Sequence, residues 1–234
     1  MSKLLKLSVV AVALTLTAAV PANAQSAGAT VLQYPSTTLT DGSWTITLTG
    51  CEVTPAGGAT AFCSGTDEVT PAISGSTISL VFSSFSGSDL APLETAGAGH
   101  FSDLTFSTIT AAYAGESIDA SSVDVSGSES SGNSAYANRV TVNEGTIAST
   151  GGAGASTNLG NSPTLQSVAF APVVSENVGS VDIKTNGSPL TSGSLTMSTA
   201  TISFTRVPEP VSTSLLVVGI AGLGFVRRKT RRLN

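Results

Sequence analysis

The chain has 234 residues, of which 36 are Ser, 31 Thr and 24 Gly, and only 11% are charged. Its formal charge of −5 denies it the basic field of a nucleic-acid binder. Too few long apolar runs exclude a multi-span membrane protein, and scarce Glu, Lys and Leu exclude a long coiled coil. Two apolar stretches lie at the ends, and between them roughly 180 residues remain, one domain able to bury a core.

Residues 1–24 have the form of a secretory signal. Lys3 and Lys6 give the positive start, and Leu7 to Ala19 is apolar apart from Ser8, Thr15 and Thr17. Ala22-Asn23-Ala24 is a small-residue cleavage site. Transport by the secretory translocon and cleavage by signal peptidase after Ala24 leave a chain beginning at Gln25. An uncleaved anchor is the alternative, and the shortness of the apolar run weighs against it.

Residues 25–206 form the expected ectodomain, without a convincing helical period and with several alternating or β-branched runs. Ser43 to Gly50 places Trp44, Ile46 and Leu48 on one face and threonines on the other. Thr77 to Phe82 is a second run. In Phe101 to Ile109, Leu104, Phe106 and Thr108 alternate. Ile118 to Val125, Arg139 to Ile147, Leu165 to Val174 and Ser180 to Lys184 follow. Ser194 to Thr205 reads as one long strand, with Leu195 and Met197 on the face of Thr199, Thr201 and Ser203, and Ala200, Ile202 and Phe204 on the other. Asn186-Gly187 signals a tight turn. Ser126 to Ser134 and Gly151 to Pro163 read as loops. Many short strands with Gly- and Ser-rich turns predict an all-β fold, an antiparallel β-sandwich. The alternative is a β-solenoid, disfavoured because no period of 20 to 50 residues recurs.

Chemistry-bearing residues are few. Cys51 and Cys63 are an even pair in an exported segment, which predicts one disulfide closing a short loop. Two buried free thiols are the alternative. Zinc wants four ligands and the chain has one histidine, so no metal or other cofactor is expected. A Ser–His–Asp triad would have to use His100, and no G-x-S-x-G elbow accompanies it. Asp67-Glu68 and Asp119/Asp124 read as solvated turns or strand faces. Trp44 belongs to the core, while Tyr113 and Tyr136 border loops and are the candidate sugar-stacking rings. No catalytic residue is assigned.

The C-terminal end, residues 207–234, is tripartite. Val207-Pro208-Glu209-Pro210 is held extended by its prolines, a form a protease groove can grip. Residues 211–226 carry no charge, and 16 residues make a transmembrane helix of about 24 Å, short of a bilayer core of about 30 Å. Arg227, Arg228, Lys229, Arg231 and Arg232, within the basic tail 227–234, mark the cytoplasmic side. The N-terminal signal demands the same orientation.

Pro208-Glu209-Pro210, Ser212, Leu215-Leu216, Gly219, Gly222, Gly224 and the arginine cluster together resemble the PEP-CTERM sorting signal of Gram-negative bacteria. The resemblance covers residues 207–232, about a ninth of the chain. It departs only in Thr230 interrupting the basic cluster and in Leu233-Asn234 following it. It implies handling by an exosortase: transient anchoring in the inner membrane, cutting near the diproline motif, then release to the outer surface or extracellular matrix. Such proteins are typically associated with exopolysaccharide, biofilm or floc, and exopolysaccharide is the partner implied. A carbohydrate-binding module in the same location is the alternative, and a secreted hydrolase stands third. Between Gln25 and Arg206 there are 14 acidic and three basic residues, so the ectodomain itself carries a net charge near −11. That charge favours solubility and disfavours nucleic acid and anionic lipid.

Overall fold

A computed structural model describes residues 25–26, 28–55, 58–63, 67–83, 95–97, 101–129, 140–160, 163–186 and 194–207. Among them every regular element is a strand, paired antiparallel into two sheets. The smaller sheet holds eight strands: β1 (Gln25–Ser26), β2 (Thr30–Val31), β7 (Glu68–Ser74), β8 (Thr77–Ser83), β9 (Thr95–Gly97), β11 (Ile118–Glu129), β15 (Gln166–Val173) and β17 (Ser194–Arg206). Their order is β1-β7-β8-β17-β11-β15, with β2 on β7 and β9 on β17. The larger sheet holds nine: β3 (Ser36–Asp41), β4 (Trp44–Thr49), β5 (Glu52–Thr54), β6 (Ala61–Phe62), β10 (Phe101–Tyr113), β12 (Val140–Asn143), β13 (Thr146–Ile147), β14 (Ser156–Asn158) and β16 (Ser175–Asn186). Here the order is β14-β12-β16-β10-β4-β3, with β13 on β16 and the β5–β6 pair on β10.

One buried apolar cluster lies between the sheets, a sandwich-like arrangement. The smaller sheet contributes Ile78, Leu80, Phe82, Val123, Ile202 and Phe204, and the larger Trp44, Ile46, Leu48, Leu104, Phe106, Ile109 and Ile183. Phe82 of β8 meets Phe106 of β10 across the gap, with ring centroids 5.7 Å apart. The two antiparallel sheets replace the solenoid alternative. Gly42 and Gly75, at φ 59° and 60°, open the two-residue turns joining β3 to β4 and β7 to β8, the position where a type II′ hairpin turn takes glycine.

The alternation within the long strands is interrupted along one line. Leu104 and Phe106 point inward on β10, but the next inward residues are Ile109 and Ala111. On β16 the inward set changes from Glu176 and Val178 to Val181 and Ile183. From β4 to β5 it changes from Leu48 to Cys51, and from β12 to β13 from Val142 and Glu144 to Ile147. The registers on either side set Gly50, Ser107, Ser180 and Gly145 opposite one another across these neighbouring strands. Ser180 takes φ 55°, a left-handed conformation that serine adopts rarely. The result is a crease, across which one extra residue per strand resets which side chains face the core.

Several expectations are corrected by such irregularities. Thr108 is not an inward residue of β10, because the crease passes between Phe106 and Ile109. On β17, Ser198 is an extra residue: Ser126 pairs Thr199 while Gly127 pairs Met197. Leu195 and Met197 therefore join Ala200, Ile202 and Phe204 in the core instead of facing away from them. The expected strand from Arg139 to Ile147 is β12 and β13, broken at Glu144-Gly145. Ser126 to Glu129 lie in β11 and Ser156 to Asn158 form β14 with Thr157 buried, so neither expected loop is wholly loop. Asn186 ends β16, and Gly187 lies outside the described residues.

Candidate functional site

Cys51 and Cys63 form the expected disulfide, with Cα atoms 5.4 Å apart. Both are buried, and it clips β5 to β6 where Cys63 N–H also donates to the Cys51 carbonyl. Such a bond fits an oxidising, extracytoplasmic compartment. Among the described residues no group of three or more His, Cys, Asp or Glu is placed to hold a metal ion. No helix among them is long and apolar enough to cross a membrane. Gln25 opens β1, pairing Ile73, and Val207 follows β17 with its N–H on the Ser117 carbonyl. Ala22, Ala24, Pro208, Glu209, Pro210 and the basic cluster from Arg227 to Arg232 lie outside the described residues, as do His100 and Tyr136.

Tyr113 is not a free sugar platform. Its ring packs edge-on against Trp44 at 5.1 Å, and the Arg206 guanidinium lies 4.5 Å over it. Arg206 also bonds Glu116, so all three tie the end of β17 to the β10–β11 corner. Trp44 is a core residue, as its place in the alternation predicts. Asp67, expected in a solvated turn, is buried; its carbonyl accepts the Leu32 N–H.

The exposed rings lie elsewhere. Among the described residues the large exposed hydrophobics are Tyr34, Phe62, Phe101, Leu165 and Val174. Phe62 and Tyr34 stack on each other at 3.9 Å between centroids. Phe62 stands opposite Glu52, and Glu52 opposite Thr105, so all three share the outward face of the larger sheet. Phe101 is on that face too, four residues before Thr105 on β10. Two cross-strand rows run over it. One is Thr54, Asp103, Lys184, Thr141 and Asn158; the other is Glu52, Thr105, Asp182, Asn143 and Ser156. Sequence could have given Phe101 away. It is odd-numbered on a strand whose inward Leu104 and Phe106 are even, so it must point outward.

The two rows are chemically linked. Lys184 Nζ lies 3.6 Å from Asp103 Oδ2 and 4.9 Å from the centre of the Phe101 ring. The Asp103 and Asp182 carboxyls lie within hydrogen-bonding reach of each other. Oδ1 of each is buried without a donor, and two acceptors can pair only through a proton. Burial, then the bond to Asp182 and its charge, push Asp103 up to about 7 against the pull of Lys184. A carboxyl pair in contact is closer than the separation of about 5 Å or more that glycoside hydrolases use.

Two further carboxyls, Glu144 and Glu176, are buried inside the sandwich. Glu144 Oε2 accepts from Ser121 Oγ at 2.8 Å and from the Ala155 N–H at 3.1 Å. Glu176 Oε1 accepts the N–H groups of Ser149 and Asn177. The other oxygen of each is buried with no donor. Burial, with the charge of Glu176 added, pushes Glu144 up to about 7 despite its two hydrogen bonds. Ser121 belongs to the smaller sheet, so its bond to Glu144 joins the two layers. Comparison with protein-family models, curated proteins and solved structures finds no match to the chain.

Proposed function

We propose that the chain is an exported, non-catalytic surface or extracellular-matrix protein of a Gram-negative bacterium. The secretory translocon and signal peptidase deliver it, beginning at Gln25. The helix at 211–226 holds it briefly in the inner membrane, and an exosortase sorts it at Val207-Pro208-Glu209-Pro210 into an exopolysaccharide matrix. The observation that carries this reading is the Cys51–Cys63 disulfide, which suits an oxidising, extracytoplasmic destination. The described strands lie between Gln25 and Arg206, so neither cut removes a residue from them. Cell fractionation of the native organism, with N-terminal sequencing and intact-mass measurement, tests it. Extracellular protein should begin at Gln25 and lack Val211 to Asn234 where an exosortase is present. Cytosolic protein with both ends intact would overturn it.

A further inference from the structure

We propose that the outward face of the larger sheet, from the Tyr34–Phe62 stack across β5, β10 and β16, binds a neutral polysaccharide chain. Such a site presupposes the exported, matrix-associated protein just proposed.

The rings come first. Phe62 is 55%, Tyr34 49% and Phe101 40% exposed, and these three are the only large aromatic side chains exposed among the described residues. All three are on or stacked against one sheet face. Exposing them costs hydrophobic free energy that a ligand recovers by covering them. A sugar ring has an apolar C–H face for that purpose and hydroxyls at its rim. The groups between and beside the rings suit those hydroxyls: Glu52, Thr54 and Thr105 between them, and Asp182 and the Lys184 ammonium on the next strand, β16. Lys184 already leans over Phe101, placing a donor beside a stacking surface.

Charge and spacing narrow the occupant. Among the described residues, Glu52 and the Asp103–Asp182 pair, which stays negative when it shares one proton, face a single cation, Lys184, so an anionic polysaccharide would be repelled. Phe62 and Phe101 are two strand intervals and four residues apart, about 17 Å at about 4.8 Å per interval and 3.4 Å per residue. That span calls for a chain of several sugars instead of one. A protein partner would want contiguous apolar surface, and here hydrogen-bonding side chains separate the rings.

The test uses the protein recovered from its own culture and the host's exopolysaccharide, split by anion exchange into neutral and acidic fractions. In affinity electrophoresis the neutral fraction should retard the protein. Phe62→Ala and Phe101→Ala should each weaken retardation about 5-fold, in line with the worth of a ring contact, and the double variant should abolish it. Leu165→Ala, an exposed residue beside β15, should leave it unchanged. Far-UV circular dichroism checks folding, and Asp182→Asn, which preserves shape, supplies a second variant expected to weaken binding. No retardation by the neutral fraction, retardation by the acidic fraction alone, or a fully retained double variant would overturn the site. Protein found outside the cell with trimmed ends but unretarded would sink the site and leave the export reading standing.

Discussion

Gly50 and Gly145 stand on the crease because nothing larger fits. Gly50 has φ 65°, and a Cβ there would lie 2.2 Å from Ser107 Oγ. A Cβ on Gly145 would lie 2.8 Å from the Gly179 carbonyl oxygen. Gly75 has a similar φ of 60° but open space around it. Alanine at Gly75 therefore carries only backbone strain, about 1 kcal/mol, whereas Gly50→Ala adds a collision and should cost roughly 2–4 kcal/mol. Urea midpoints of the two variants check this ordering; equal losses would refute the steric part. The disulfide gives a second expectation at this scale. A 13-residue closed loop is worth about 3 kcal/mol in the chain-entropy description. Cys51→Ser with Cys63→Ser should lower the unfolding free energy read from urea titration by that amount, and reductant should do the same to the wild type. Of these features the sequence discloses the cysteine pair plainly, because only two cysteines exist. It does not disclose the glycines, since 24 of them look alike until the register shows which neighbour each one faces.

At the scale of strands, legibility follows regularity. Trp44 to Thr49 and Thr77 to Phe82 keep an uninterrupted period of two, and each forms the strand its pattern predicts. Ser36 to Asp41 and Glu68 to Ser74 are strands that the pattern does not announce, because threonine on the core face hides the apolar positions and Pro71 argues against pairing. The long strands β10, β16 and β17 were readable only up to their bulges, past which every inward assignment inverts. The buried carboxyls were invisible for a related reason: register and not sequence distance brings Asp103 to Asp182, and the alternation of their strands turns Glu144 and Glu176 inward. Their chemistry has a measurable sign. Asp103 and Glu144 both titrate in the folded chain near 7, against ordinary values of 3.8 and 4.5. A raised carboxyl pKa means the folded state binds the proton more tightly. The stability from these protons is fully present below about pH 4 and is lost as pH rises through about 7. Melting temperature should therefore fall between pH 5 and pH 8. Glu144→Gln keeps an acceptor for Ser121 and removes the buried charge, so it should stabilise the domain at pH 8 by roughly 1–3 kcal/mol and do little at pH 4.5. In a domain of this size that is about 2–4 °C per kcal/mol. A flat melting profile from pH 5 to pH 8 would show that neither Asp103 nor Glu144 holds its proton more tightly in the folded chain.

For the whole molecule, the distribution of charge separates what folds from what is handled. The region from Gln25 to Arg206 carries 14 acidic and three basic residues, while five cations crowd into the last eight positions. Two of the three basic residues are engaged inside the fold, Lys184 with Asp103 and Arg206 with Glu116. The C-terminal cations lie outside the described residues, and their proposed role is to hold one end on the cytoplasmic side. In the proposed reading, a stem of 16 uncharged residues, about 24 Å if helical, would anchor weakly against a core of about 30 Å. Retention or release should then depend on the cut and not on the stem. The last described strand ends at Arg206, and Val207 adds one backbone bond to Ser117. Replacing Pro208, Glu209 and Pro210 together by alanine should leave the β fold and its melting temperature unchanged. In a host with an exosortase it should shift the protein from the medium to the membrane fraction, with residues 211–234 still attached by mass. Stopping the chain after Val207 should instead release it whether or not the exosortase is present. If the alanine variant is released and trimmed like the wild type, the diproline motif is not what the processing enzyme reads.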